Sequence, residues 1–177
     1  ISKCSIVRRN GRLMGQRRVI IGIMMVSILL LVPAIQGYEN GVYNQASGCN
    51  CHSQSGTGPA SVSISGLPTS YDVNKLYQVT VSVSGGVSGS SGGFSLEVDK
   101  GTLSTGFGLM LVNVNSQGNS ATHSITGSSY RSWSFEWTSP AAGAGTVNFE
   151  VAGMTTNGNS QNSGDRWVTD VVPVPEN

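Results

Sequence analysis

The sequence predicts an all-β fold, a two-sheet antiparallel sandwich of seven or eight short strands. Three observations lead to this prediction. After residue 59, apolar residues alternate with Ser, Thr and Gln over short stretches, which is the period of half-buried strands. Gly, Asn and Pro turns separate these stretches, as in sandwich domains. No segment after residue 37 has a convincing helical period, so layers of helices are not expected.

The clearest strand runs from Tyr77 to Val83, where four apolar side chains alternate with Gln, Thr and Ser. A second alternating strand contains Trp133, Phe135 and Trp137 and stops before Pro140. Further strands are expected at residues 62–64, 94–98, 107–114, 147–151 and 167–172, and the Gly/Ser-rich residues 85–93 are expected to form a long flexible connection. The inward side chains of these strands would form the core: Tyr77, Val79, Val81, Phe94, Leu96, Trp133, Phe135, Trp137, Val147 and Phe149. At roughly 1.5–3 kcal/mol for each large buried apolar side chain, this core needs no disulfide to hold it.

The first 37 residues have the pattern of an export signal. They carry six bases and no acid, and an apolar run of 17 residues at positions 19–35 follows Arg17 and Arg18. The run is at the lower limit of what spans a bilayer, so an uncleaved N-terminal membrane anchor is the alternative to cleavage near Gly37. The expected organisation is therefore 1–37 as upstream residues and signal or anchor, 38–59 as an irregular arm, and 60–177 as the sandwich.

The exported part carries nine acids and four bases, so a nucleic-acid partner, which would need clustered Lys and Arg, is not expected. Its two histidines and the absence of a serine on a strand-to-helix elbow give no support to a hydrolase, and we expect a non-enzymatic protein outside the cytoplasm.

The arm contains Cys49-Asn50-Cys51-His52, one residue short of the Cys-x-x-Cys-His signature of covalent haem attachment. Three interpretations remain open: haem c with His52 as the proximal iron ligand, a Cys49–Cys51 disulfide, or a copper or zinc site. With one intervening residue, the two thiols are expected to share a face only if the segment is extended.

His123 is the other histidine of the chain, and two interpretations compete for it. It is either a surface loop residue or a sixth iron ligand opposite His52, which would give a bis-histidine iron suited to electron transfer. Met110 and Met154 are rival ligands, although Met110 is expected in the core. Oxygen-rich residues 155–165 suggest Ca²⁺ binding, but only Asp165 is charged there, which favours a solvated hairpin loop.

The order of these features resembles the reelin-type (Reeler-like) extracellular domains, specifically the prokaryotic "choice-of-anchor V" domains, over roughly residues 44 to 172. The matching segments are Gly93-Phe94-Ser95-Leu96, Thr122-His123-Ser124, the stretch from Trp133 to Pro140, Gly145-Thr146-Val147-Asn148-Phe149, Asn157-Gly158-Asn159 and Gly164-Asp165. The tryptophan-to-proline stretch and the Asn-Gly and Gly-Asp pairs are the most specific of these.

This resemblance implies an immunoglobulin-like β-sandwich that is secreted or on the cell surface. Many such domains carry Cys-x-x-Cys-His where this chain has Cys49 to His52, which implies haem c there and makes His123 the distal ligand. The partners would be redox proteins or neighbouring haem subunits, and the chain could also form a homo-oligomer. Two departures are the shortened cysteine gap and the end of the chain at Asn177, where the family has a membrane anchor. Membrane attachment would then use the N-terminal segment or a missing C-terminal anchor.

Overall fold

Two antiparallel sheets form a β-sandwich in the computed structural model, which describes residues 38–54, 56, 58–106 and 110–177. The strands are β1 (Ala60–Ser65), β2 (Leu76–Gly85), β3 (Gly92–Val98), β4 (Thr102–Ser104), β5 (Val112–Val114), β6 (Ser120–His123), β7 (Ser132–Thr138), β8 (Val147–Thr155) and β9 (Arg166–Val174). The predicted signal or anchor and residues 107–109 lie outside the described residues. Within the described part, no helix has the length and hydrophobicity required to cross a lipid bilayer.

One sheet has the order β1-β2-β7-β4 and the other the order β5-β6-β3-β8-β9. The predicted sandwich is therefore confirmed, with nine strands in the described residues instead of seven or eight. The additional strands are β4 and β6, which are only three and four residues long and contain mostly small or polar side chains. Strands this short carry too few apolar residues to reveal a period of two.

The core lies between the two sheets, and the predicted inward residues form most of it. Trp133, Trp137, Phe135 and Phe149 are all essentially inaccessible to solvent. Tyr77 is only partly buried, because it lies at the margin of the core and stacks on Trp137 with 5.5 Å between ring centroids. This core fixes the register of β2 on β7 and leaves the outer face of that sheet to Ser and Thr.

The prediction that Met110 belongs to the core is wrong, since 86% of its surface is exposed. Strand β5 begins only at Val112, and Met110 lies in the bend before it. The Ser124 hydroxyl donates to the Met110 carbonyl at 2.5 Å, which ties the backbone of this bend to the chain after β6 and leaves the thioether in solvent. The Met110 side chain is therefore not part of the core.

Strands β3 and β6 are buried on both faces, because the arm of residues 38–54 covers the outer face of the five-stranded sheet. Three successive backbone N–H groups of the arm donate to side chains of these strands: Asn44 to Ser120 at 3.1 Å, Gln45 to Ser95 at 3.1 Å and Ala46 to Glu97 at 3.0 Å. The arm has no regular secondary structure, but these bonds hold it on the sheet.

Candidate functional site

A cavity of about 510 Å³ lies beside the five-stranded sheet, between the arm and the loop of residues 156–165 that joins β8 to β9. Its volume is typical of sites for small molecules and cofactors, which are about 300–1,000 Å³. Cys49, Cys51, His52 and His123 all line this cavity, and so does Met154. The four predicted site residues therefore line the same cavity, although His123 is 71 positions from His52 in the sequence.

The cysteines and His52 lie in a tight turn and not in an extended segment. The His52 backbone N–H donates to the Cys49 carbonyl at 2.9 Å, which closes a four-residue β-turn. The expectation that a single intervening residue requires an extended chain is therefore wrong. The turn arranges Cys49 and Cys51 along the same cavity although only Asn50 separates them.

Contacts from β9 and its preceding loop hold this turn in place. The Asn162 side-chain amide donates to the Cys51 carbonyl at 3.2 Å, and the Trp167 indole donates to the His52 carbonyl at 3.3 Å. Gly48 precedes the turn with φ of 145°, and a Cβ there would lie 2.8 Å from the Trp167 ring. Close packing of backbone on indole therefore requires glycine at this position.

Both cysteines of the described region are free thiols, not a disulfide. Burial, with the nearby Cys51 as a lesser cause, raises the pKa of the Cys49 thiol to about 12, whereas Cys51 is exposed. Because the thiolate is the form that binds metal ions, Cys49 is a poor ready-made ligand for copper or zinc. Among the residues that the structure describes, no three His, Cys, Asp or Glu side chains are grouped to hold a metal ion.

His52 is oriented by Asp165, a partner that the sequence did not reveal. The His52 Nδ1 lies 2.7 Å from Asp165 Oδ2, and the Asp165 side chain is 1% exposed. The other carboxylate oxygen accepts the Asn157 N–H at 3.2 Å. With Nδ1 engaged in this way, Nε2 is the ring nitrogen left free for another ligand. The only sequence signal for this role was that Asp165 is the single charged residue of the loop.

The oxygens that suggested Ca²⁺ binding are used within the loop. Asn157 Oδ1 accepts the Asn159 N–H at 3.1 Å, and Asn159 Oδ1 accepts the Gln161 N–H at 2.9 Å. These are Asx turns, a local conformation that stabilises loops of this composition. Together with the Asp165–His52 pair, they favour the interpretation of residues 156–165 as a hairpin loop.

His123 is not a surface loop residue, so that interpretation is wrong. It is the last residue of β6, only 9% exposed, and its ring centroid lies 6.5 Å from that of Phe94 and 6.3 Å from that of Trp133. Burial lowers the pKa of His123, a hydrogen bond with the Phe94 backbone opposes this, and nearby His52 lowers it further. The neutral imidazole favoured in this way is the form that binds metals.

The Phe94 backbone N–H donates to His123 Nδ1 at 3.2 Å, and the Phe94 carbonyl oxygen lies 3.4 Å from the same nitrogen. A His123 that used Nε2 as a ligand would donate its Nδ1–H to that carbonyl. The ring rests against Gly93, where a Cβ would lie 2.7 Å from the His123 Cε1. Met154 pairs with Gly93 between β3 and β8 and is 8% exposed, so it remains the rival ligand beside His123.

No protein-family model and no curated protein matches the sequence. Among solved structures, a human F-spondin reeler domain aligns with a TM-score of 0.50 and 18% identity, over 71% of this chain and 92% of that one. The Reelin-N domain of F-spondin aligns at 0.47 with 19% identity, over 71% and 91% of the two chains, and a Clostridium perfringens cohesin module at 0.46 with 10% identity, over 70% and 98%. The alignment with the human F-spondin reeler domain shows that the chain has a Reeler-like fold.

Proposed function

We propose that this protein is an exported, cell-surface β-sandwich that binds haem c through Cys49 and Cys51, with His52 and His123 as iron ligands, and transfers electrons. The observation that carries the proposal is that all four of these side chains line one cavity of about 510 Å³. Two thiols and two imidazoles from separate parts of the chain are the donor set that covalent, bis-histidine haem requires.

The cavity also fits such a group in its surroundings. Phe94 and Met154 give it apolar surface, and Gly92 and Gly93 leave the sheet without side chains at its border. A cofactor held there would be partly shielded from water by these residues, the arm and the loop of residues 156–165. Shielding of this kind is one of the means by which a protein sets a haem potential.

Each residue has a distinct role in the proposal. Cys49 and Cys51 would hold the porphyrin as thioethers, which need no thiolate once formed, so the high pKa of Cys49 is compatible with this use. His52 would be the proximal ligand and His123 the distal one, kept neutral by burial. His52 and His123 together would leave no open iron position for a substrate, and a haem held in this way would supply one-electron transfer, which agrees with a non-enzymatic role.

The location and partners follow from other parts of the chain. Six bases followed by an apolar run at residues 19–35 support export, with attachment to the membrane through that segment or through a C-terminal anchor. The partners would be redox proteins or neighbouring haem subunits, and the chain would not bind nucleic acid.

The direct test is export of the full chain from cells that carry c-type haem attachment enzymes. We expect a coloured protein with a Soret band, a pyridine haemochrome spectrum, and a covalent haem mass that is lost in C49A/C51A. Colourless protein whose mass is two hydrogens lower would instead identify a Cys49–Cys51 disulfide and a non-redox adhesion or spacer module. Stoichiometric copper or zinc in colourless protein would identify a small metal-binding protein.

The ligands are tested with His123→Ala and the matched variant Met154→Leu. Loss of the distal histidine should convert a low-spin spectrum to a high-spin one, whereas M154L should leave it low-spin; the opposite pattern would make Met154 the ligand.

The cysteine spacing is tested by insertion of Ala between Asn50 and Cys51, which restores Cys-x-x-Cys-His. Haem in the insertion variant but not in the natural chain would show that the short gap prevents attachment and would overturn the proposal.

A further inference from the structure

The buried Asp165–His52 pair lies in the lining of the cavity, with both carboxylate oxygens of Asp165 hydrogen-bonded. A carboxylate 1% exposed to solvent lies 2.7 Å from Nδ1 of a histidine whose own side chain is 19% exposed. Its second oxygen is held by the Asn157 N–H, so the carboxylate cannot rotate away without losing that bond. Burial of a charged group is costly unless it is hydrogen-bonded, and these contacts satisfy both of its oxygens.

Such a pair fixes which nitrogen of the imidazole carries the proton. A carboxylate accepts hydrogen bonds and does not donate them, so Nδ1 must carry the hydrogen and Nε2 the lone pair. A ligating histidine that donates its other N–H to a carboxylate becomes a more basic ligand. His123 differs in this respect, because its Nδ1 accepts the Phe94 backbone N–H at 3.2 Å and lies 3.4 Å from the Phe94 carbonyl oxygen, instead of facing a carboxylate.

We infer that Asp165 is a positioning residue, which holds His52 in the Nδ1–H tautomer with Nε2 available to iron and stabilises the ferric over the ferrous state. This inference rests on the proposed haem function. The carboxylate acts through His52 and does not touch the iron itself. Its negative charge and its hydrogen bond both favour the ion of higher positive charge, so they lower the reduction potential. His52 and His123 would thereby be unequal ligands, with His52 the stronger donor.

The tautomer is tested in the natural sequence, without any substitution. Ring ¹⁵N NMR of the reduced, diamagnetic haem protein should give one slowly exchanging Nδ1–H for His52. The same chain made without haem should show the Nδ1–H tautomer as well. An Nε2–H tautomer, or a rapidly exchanging mixture, in the haem-free chain would overturn the inference whether or not haem binds.

The effect on the iron is tested by redox titration of Asp165→Asn, with Asp170→Asn as the matched control. Asp170 is an exposed carboxylate on β9, so its substitution removes the same charge from a solvated position. We expect D165N to shift the ferrous-to-ferric ratio at fixed potential at least tenfold toward ferrous iron, about 59 mV for a one-electron couple. The control should shift it much less.

The outcomes separate this inference from the proposed function. Coloured protein in which D165N and D170N have equal potentials would overturn the role of Asp165 and leave haem binding intact. Colourless protein would overturn the proposed function, and NMR of the haem-free chain would then test only whether Asp165 holds His52 in the Nδ1–H tautomer. If D165N does not fold, the tautomer measured in the natural chain decides the inference.

Discussion

Gly93→Ala tests whether the space beneath the His123 ring depends on glycine. The added Cβ would lie 2.7 Å from Cε1, 3.1 Å from Nδ1 and 3.3 Å from Nε2 of the ring. Carbon atoms in contact are ordinarily about 3.5–4.0 Å apart, so the ring must move by about 1 Å. Phe94 and Trp133 lie against the same ring, which leaves it little room to do so.

The magnitude follows from two opposing effects. An extra methyl group in a closely packed site costs about 1–3 kcal/mol. Gly93 lies in β3 without the positive φ that would strain another residue, so loss of chain flexibility in the unfolded state returns about 0.4–1 kcal/mol. The overpacking cost is the larger of the two, and we expect G93A to lower the free energy of unfolding by about 1–2 kcal/mol.

In an H123A background the obstructing ring is absent, so G93A should be stabilising by about 0.4–1 kcal/mol. The double-mutant cycle of G93A and H123A then gives a coupling of about 1–3 kcal/mol. Urea unfolding of the C49S/C51S chain measures it free of any haem, with the urea dependence expected to stay constant. Equal effects of G93A in both backgrounds would refute the contact. In the haem-loaded chain, the same variant should increase the high-spin fraction by displacing His123.

Three further predictions concern other parts of the fold. The Gly143 and Gly145 N–H groups donate to the Glu176 carboxylate at 2.8 and 2.7 Å, and these bonds hold the pKa of Glu176 below its usual range. The free energy of unfolding should therefore fall as the pH falls from about 4.5 through that lowered pKa. Thermal unfolding of E176Q across this pH range should show no such loss of stability. A loss at low pH equal to that of the natural chain would contradict this prediction. Y71F removes a buried hydroxyl that donates to the Gly145 carbonyl at 2.6 Å and should cost about 0.5–1.5 kcal/mol in urea unfolding. G48A should lower the haem-loaded fraction, because its Cβ would contact the Trp167 indole behind the cysteine turn. The control G143A, at a position with positive φ and open space, should lose only stability. Equal haem loading of the two variants would refute the prediction.

The sandwich could be predicted because its main strands carry their signal locally. Alternation of Val79 and Val81 with polar neighbours, or of Trp133 and Phe135 with Ser, reports one buried face without any knowledge of the partner strand. Strand β6 carries no such signal, since a chain segment 70 or more residues away covers its outer face. Its residues are buried on both sides, and the sequence Ser-Ala-Thr-His contains no apolar alternation to show it.

The residues of the candidate site likewise differ in whether the nearby sequence reveals them. Cys49, Cys51 and His52 form a motif visible in four residues, and His123 stands out because imidazoles are scarce in the chain and because the Reeler-like resemblance includes Thr122-His123-Ser124. Asp165 could not be found in this way, because 113 residues separate it from His52 and nothing in its own loop distinguishes a histidine partner from solvent. Contacts of this range depend on the register of β8 and β9, which bring the loop over the cavity.

The shortened cysteine motif is compatible with the site because tertiary contacts, and not a local helix, shape it. In Cys-x-x-Cys-His, two intervening residues can bring the thiols onto one helical turn. Here the bond from the His52 N–H to the Cys49 carbonyl reverses the chain with one residue fewer. The Asn162 amide and the Trp167 indole donate to two later carbonyls of the turn, those of Cys51 and His52. An added residue in the turn would shift both of those carbonyls away from their donors. The length of the turn is therefore matched to the positions of Asn162 and Trp167, which hold it.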